Sequence, residues 1–215
     1  MTAGLLSLAA AACLRNGARV GVVPPAVDSL EGHASWRLER EGASARSRLS
    51  FLFVLPDRGL IEIGGPLNRT VSRLLVDGET AYLVIPGKRA YWPGSRAEVM
   101  TRLIGFEIAP AELAALLTGR DRGLEGWTLE SDERGRAVRG RRDDLAYSVD
   151  EFFEGSRVPR TVVFDGATDR GRLKIIRLRF NPPLREDALR PDFLDDGRYR
   201  AVGWPEIEGW LRDED

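Results

Sequence analysis

The sequence predicts a mainly β protein with a short α lid: a single curved antiparallel sheet of about eleven strands, forming an incomplete, half-open barrel covered by helices. Three observations predict it. Segments of strand character recur at short spacing along most of the chain, the breaks between them carry the Gly, Asp and Pro of tight turns, and helical periodicity is confined to one stretch mid-chain and one near the end.

After a connector containing Pro24-Pro25, strands are expected near 31–40, 45–55, 58–64, 70–77, 79–86 and 89–92. Glu41-Gly42, Pro56-Asp57-Arg58-Gly59, Gly64-Gly65-Pro66, Asp77-Gly78 and Pro86-Gly87 supply the turns of a meander. Alternation in the first strand puts His33, Ser35, Arg37 and Glu39 on a polar face and Trp36 and Leu38 on the other. Residues 95–119 then change period. Ser95-Arg96-Ala97-Glu98 reads as a capping box, Val99, Met100, Leu103 and Ile104 share a helical face, and Gly105 ends the helix. A second helix starts with Pro110 at its first position, carries Leu113, Leu116 and Leu117 as its apolar stripe, and closes at Gly119. Strands return near 126–131, 136–141, 145–153, 159–165 and 172–180. A sheet of this length curls under its own twist, and its inner face needs cover that two short helices provide only in part. The interior is then either packed core or an apolar cavity, and composition leaves both open.

With 215 residues and 43% hydrophobic content the chain builds one domain, or at most two small ones. A charged fraction of 30% and a mean hydropathy of −0.25 exclude a polytopic membrane protein. Basic and acidic side chains number 32 and 33, all the basic ones but Lys88 and Lys174 being Arg, so no global charge draws the chain to nucleic acid. One Cys and one His exclude an intramolecular disulfide framework and argue against a Cys/His zinc site. There is no G-x-S-x-G elbow, Walker loop or G-x-G-x-x-G fingerprint, and His33, the one histidine a catalytic triad would need, falls on the polar face and reads as solvated. We therefore expect neither an enzyme nor a metal or other cofactor.

Residues 1–13 form a stretch of Leu and small residues that ends at the only Cys. It is too short to span a bilayer and suits the apolar core of a secretory signal. Small residues running into Cys13 resemble a bacterial lipoprotein cleavage site, at which the Cys becomes a lipid anchor. No Lys or Arg precedes the stretch, and Ala10 stands where that pattern has Leu. The alternative is a short core helix with a buried thiol.

Several ordered segments then resemble one family. Ile61-Glu62-Ile63-Gly64-Gly65-Pro66-Leu67-Asn68-Arg69-Thr70, Ala97-Glu98-Val99-Met100-Thr101-Arg102-Leu103-Ile104-Gly105, Ile108-Ala109-Pro110 and Leu116-Leu117-Thr118-Gly119 resemble the outer-membrane lipoprotein receptor family LolB. Val158-Pro159-Arg160-Thr161-Val162-Val163-Phe164 and the strand from Arg172 to Phe180 resemble that family's last two strands. The resemblance covers roughly 30–182. It divides the chain into a signal (1–13), a connector (14–29), the LolA/LolB-like domain (30–182) and an acidic, aromatic extension (183–215). It implies a monomer on the periplasmic face of the outer membrane, held there by its lipid anchor or else soluble in the periplasm. Its partners would be acylated lipoproteins or other lipids, received from a LolA-like carrier. The acyl cavity would be lined from the lid by Val99, Met100, Leu103, Ile104, Leu113, Leu116 and Leu117, and from the strands by Trp36, Leu38, Phe51, Phe53, Leu83 and Ile85. Pro66 and Leu67 would form a membrane-insertion loop. Alternatively Leu67 folds back on the core rim.

Residues 184–215 depart from the family, with ten acidic side chains against five Arg, and with Trp204, Ile207, Trp210 and Leu211 on one face of a short helix. This tail packs across the body, occludes the cavity mouth or docks a partner. A carrier or sensor of another envelope lipid, or a non-transporting interaction module, are the alternative functions.

Overall fold

The computed structural model describes residues 19–65, 69–184, 189–191 and 197–212. Its strands are β1 (Arg19–Val20), β2 (Ser29–Arg40), β3 (Ala43–Val54), β4 (Arg58–Gly64), β5 (Thr70–Asp77), β6 (Thr80–Ile85), β7 (Ala90–Ser95), β8 (Thr128–Ser131), β9 (Ala137–Arg142), β10 (Leu145–Phe152), β11 (Pro159–Asp165), β12 (Asp169–Phe180) and β13 (Arg200–Ala201). The helices are α1 (Arg96–Ile104), α2 (Pro110–Thr118) and α3 (Trp204–Arg212). Every expected strand is present. The two-residue strands β1 and β13, which the sequence pattern does not show, pair parallel with β12 and β7, so the sheet is mostly rather than wholly antiparallel.

The strands form one sheet in the order β13-β7-β6-β5-β4-β3-β2-β12-β11-β10-β9-β8, with β1 beside β12. Two meanders therefore meet at a central seam, β2 against β12, and β7 and β8 lie far out on opposite flanks. The chain from Ser95 to Thr128 must cross from one flank to the other. Connectivity requires the crossing, and the burial of the apolar residues of α1 and α2 in one core with the strand residues puts it over the inner face of the curled sheet.

Register decides which side chains face inward. Phe51, Ile61, Leu74, Leu83 and Trp92 form one cross-strand row, and all are buried. Large rings fit on this face because glycines lie beneath them. Phe51 covers Gly32, Phe53 covers Gly59, Tyr147 covers Gly140 and Trp36 covers Gly171. A Cβ on Gly59 would sit 2.7 Å from the Phe53 ring, and those on the other three would come closer still.

Both helices of the lid end as their sequence requires. The Ser95 hydroxyl accepts from Glu98 N–H at 3.2 Å, and Gly105 and Gly119 take φ of +94° and +66°, closing α1 and α2 in the left-handed conformation that glycine adopts without strain. Burial differs from expectation in α2. Residues 113–118 are all buried, so α2 is enclosed on every side and is not amphipathic like α1. Ala114 and Ala115 permit close approach, and Leu124 and Trp127 from the following loop join the same core. The C-terminal helix packs on the body: Ile207 is fully buried, Trp204 meets Trp92 at 5.0 Å, and the Arg102 guanidinium lies 4.8 Å over Trp204.

Gly171→Ala should cost about 2 kcal/mol, since the new methyl group overpacks against Trp36. Gly209→Ala, in a helix with open space around it, should add about 0.5–1 kcal/mol. Urea unfolding of both variants checks the pair, and equal effects would refute the ring-on-glycine account.

Candidate functional site

The inner face and the helices enclose one continuous apolar interior. Its buried core includes Val99, Met100 and Ile104 on α1, Leu113, Leu116 and Leu117 on α2, and Trp36, Phe51, Phe53, Leu83 and Ile85 on the strands, residues that the resemblance would assign to an acyl cavity. Leu103 and Leu38 are half-buried at its border and pack against the rest. Sequence reasoning missed Phe106, Ile108, Phe164 and Tyr147, which belong to the same interior. Phe106 stacks on Phe164 at 4.8 Å and meets Trp36 edge-on at 5.9 Å. The alternation Phe106-Glu107-Ile108 between the helices was the available signal. Cys13, Pro66 and Leu67 lie outside the described residues. The flanks of the latter pair are joined by a hydrogen bond from Gly65 N–H to the Arg69 carbonyl at 2.9 Å.

Polar groups clamp the helices at the rim. Arg40, at the end of β2, is bidentate to Asp169 at 2.8 and 3.2 Å and donates to the Thr101 and Arg102 carbonyls at 3.0 Å each. Those carbonyls belong to the C-terminal turn of α1, where a cation suits the helix dipole, and the Thr101 oxygen also accepts the Gly105 N–H at 3.0 Å. At the start of α2, one Glu112 oxygen accepts the Ala109 N–H at 2.8 Å; the other accepts the Trp127 indole N–H at 3.0 Å and the Arg142 guanidinium. Arg142 also stacks 5.0 Å over the Trp127 ring. Arg96 ties the first turn of α1 to Glu107 at 3.1 Å and to the Gly78 carbonyl at 3.0 Å. Two buried donors inside the apolar envelope have no partner among the described residues: the Trp36 indole N–H and the Ser72 hydroxyl. Such groups cost free energy unless something polar meets them.

The outer face carries a second feature. A groove of about 520 Å3 is lined by Leu52, Leu60 and Leu184 together with His33, Glu62 and Arg179. The consecutive apolar residues Phe51-Leu52-Phe53 signal it, because alternation sends Leu52 outward. His33 is exposed there, as its polar-face position predicts.

No protein-family model and no curated protein matches this chain. Solved structures do. A LolA superfamily protein from Nitrosomonas europaea is 14% identical with a TM-score of 0.54, covering 77% of this chain and 91% of that one. A domain from Vibrio parahaemolyticus described as an outer membrane lipoprotein-sorting protein is also 14% identical, with a TM-score of 0.52 and coverage of 79% and 91%. A DUF1329 family protein from Desulfovibrio piger is 8% identical, with a TM-score of 0.54 and coverage of 78% and 92%. The chain thus shares the fold of LolA superfamily and lipoprotein-sorting structures. At this identity the likeness is one of fold alone, and it does not single out LolB.

Arg40→Leu leaves Asp169 buried without its cation and frees the end of α1. We expect a loss of about 2–3 kcal/mol and faster amide exchange at residues 103–105, measured by hydrogen exchange; unchanged protection there would refute the clamp. Burial pushes the Tyr147 phenol up to about 12, with Asp121 adding to the shift. An unfolded Tyr ionises near pH 10, so its contribution is complete below pH 10 and lost as pH rises to about 12. Over that window the urea midpoint of the wild type should fall more steeply than that of Tyr147→Phe.

Proposed function

We propose that this chain is a lipid-binding protein of the bacterial cell envelope that accepts acylated lipoproteins in its apolar interior and helps insert them into the outer membrane, as the sequence resemblance to LolB implies. The observation that carries the reading is the coincidence, in one fold, of a curled sheet with unjoined flanks and two helices whose apolar residues face a single interior. The two unpartnered donors, Trp36 Nε1 and Ser72 Oγ, support it: they suit ester carbonyls better than they suit a sealed hydrocarbon core.

The physics of the task needs no catalyst. Each methylene left in water costs about 0.8 kcal/mol, so releasing several acyl chains into solvent would cost tens of kcal/mol. Handover is therefore direct, from a donor's cavity to this interior and on to the bilayer, down a gradient of affinity. No nucleophile, metal or nucleotide has a part in it. Cys13 would hold the protein to the membrane. Leu67 would assist delivery, since one Leu in lipid contributes only about 1.5–3 kcal/mol. The clamps at Arg40 and Glu112 would hold the helices shut until acyl chains displace them.

The enclosure of α2 on all sides favours a second reading, a packed envelope lipoprotein that acts by protein association. One experiment separates the two. The full chain carrying Cys13→Ser is purified from cell membranes and examined by native mass spectrometry. We expect a co-purifying lipid or acylated peptide, lost in Leu103→Asp while the melting temperature holds. A protein that arrives empty, and stays empty when offered an acylated lipoprotein, refutes transport and leaves the association module.

A further inference from the structure

The outer face of the seam carries a concentration of positive charge that the interior does not use. Arg46, Arg37 and Arg172 occupy one cross-strand row, with Arg37 directly opposite each of the others. In the next row Arg48 and Lys174 flank Ser35, and one row further Arg177 faces His33. All six cations are exposed, and Glu31 and Glu39 are the only acids on this face of β2, β3 and β12. Neighbouring strands lie about 4.8 Å apart, and like charges placed directly opposite destabilise a sheet. An Arg-rich composition accounts for the number of these side chains. It does not account for their segregation in a chain whose net charge is −1.

Neutralisation within the molecule is incomplete. Arg37 pairs with Glu39 at 3.3 Å, Arg46 donates to the Ser35 hydroxyl at 3.1 Å, and Arg172 pairs with Asp150. Lys174 and Arg177 have no ion-pair partner among the described residues. An open hollow of about 310 Å3 is lined by Arg37, Arg170 and Arg172 together with Glu39, and Arg170 pairs with Asp165 at 3.3 Å. Ile176, at a bulge beside Arg177, is 49% exposed, a lone apolar side chain among the cations.

We propose that this face docks on an anionic lipid bilayer. A folded protein partner needs a patch centre that is apolar and depleted of charge, and this face is the reverse. Lipid headgroups move laterally to meet a fixed array of cations, and each cation near the surface raises binding about five-fold. A lipid phosphate at the hollow competes with Glu39, Asp165 and Asp150 for the guanidinium groups of Arg37, Arg170 and Arg172, and Ile176 reaches the acyl boundary. Docked in this way the protein holds α1 and α2 on the side away from the bilayer, facing the aqueous phase. The surface is independent of what fills the interior.

The test is flotation of the full chain carrying Cys13→Ser with vesicles of phosphatidylcholine, alone or with about a third phosphatidylglycerol, at ~50 and ~300 mM salt. Binding to the anionic vesicles alone is expected, weakened by salt. Arg46→Gln, Lys174→Gln and Arg177→Gln together should lower it about 100-fold. Arg89→Gln, Arg122→Gln and Arg134→Gln, three exposed cations elsewhere, should lower it less than about 10-fold. Equal losses in the two triple variants, equal binding to neutral vesicles, or equal affinity for a short DNA duplex or polyglutamate would each overturn the proposal. Native mass spectrometry of the first triple variant separates this result from the interior: its lipid adduct should persist.

Discussion

Aromatic rings laid flat over glycines are the contact on which the rest of this molecule depends. A sheet with large side chains standing upright on its inner face could not curl tightly, because the rings would collide as the strands close in. With Phe51, Phe53, Tyr147 and Trp36 each lying across a glycine of a neighbouring strand, the lining stays thin while burying large apolar area. The space that this leaves is what α1 and α2 occupy. Phe106 and Phe164 continue the same layer and bring the segment between the helices down onto Trp36.

The lid follows from connectivity and is then fixed by charge. Because β7 and β8 lie on opposite flanks, whatever links them has to cross the sheet, and the apolar residues of α1 and α2 put the crossing on the inner face. The crossing alone does not set its depth. Arg40 and Asp169 fasten one end of α1, Arg96 fastens the other, and Glu112 fixes the start of α2 against Trp127 and Arg142. These are half-buried ionic contacts at a rim, directional and breakable, around a core held by non-directional burial. The ionic contacts thus fix where the helices lie, while burial holds the core together.

Much of this architecture was legible in the residues. Turn chemistry located the strand boundaries, since Asp77-Gly78 and Glu41-Gly42 allow few other conformations, and Ser95, Gly105, Pro110 and Gly119 bracketed the helices for the same local reason. The alternation in β2 assigned Trp36 and His33 to opposite faces correctly. What was not legible depends on partners distant in the chain. The two-residue strands β1 and β13 exist only because β12 extends past its pairing with β11 and the outer edge of β7 is free to accept a partner. The start of β12 was missed because Asp169, Arg170 and Gly171 look like turn residues, yet Asp169 is held by Arg40 and Gly171 lies beneath Trp36. The enclosure of α2 could not be read from its own stripe, because Leu124 and Trp127, which help cover it, follow in a loop without periodicity.

The seam between β2 and β12 has a consequence for how the molecule comes into being. Arg40 and Asp169 are 129 positions apart, whereas every other long pairing joins neighbours in the chain. Each meander is local and forms early; their union is the one step with high contact order. A ribosome must therefore finish nearly the whole polypeptide before the interior has both its walls. Until then the two halves remain separate ribbons, short of the closed state and still able to be threaded as an open chain.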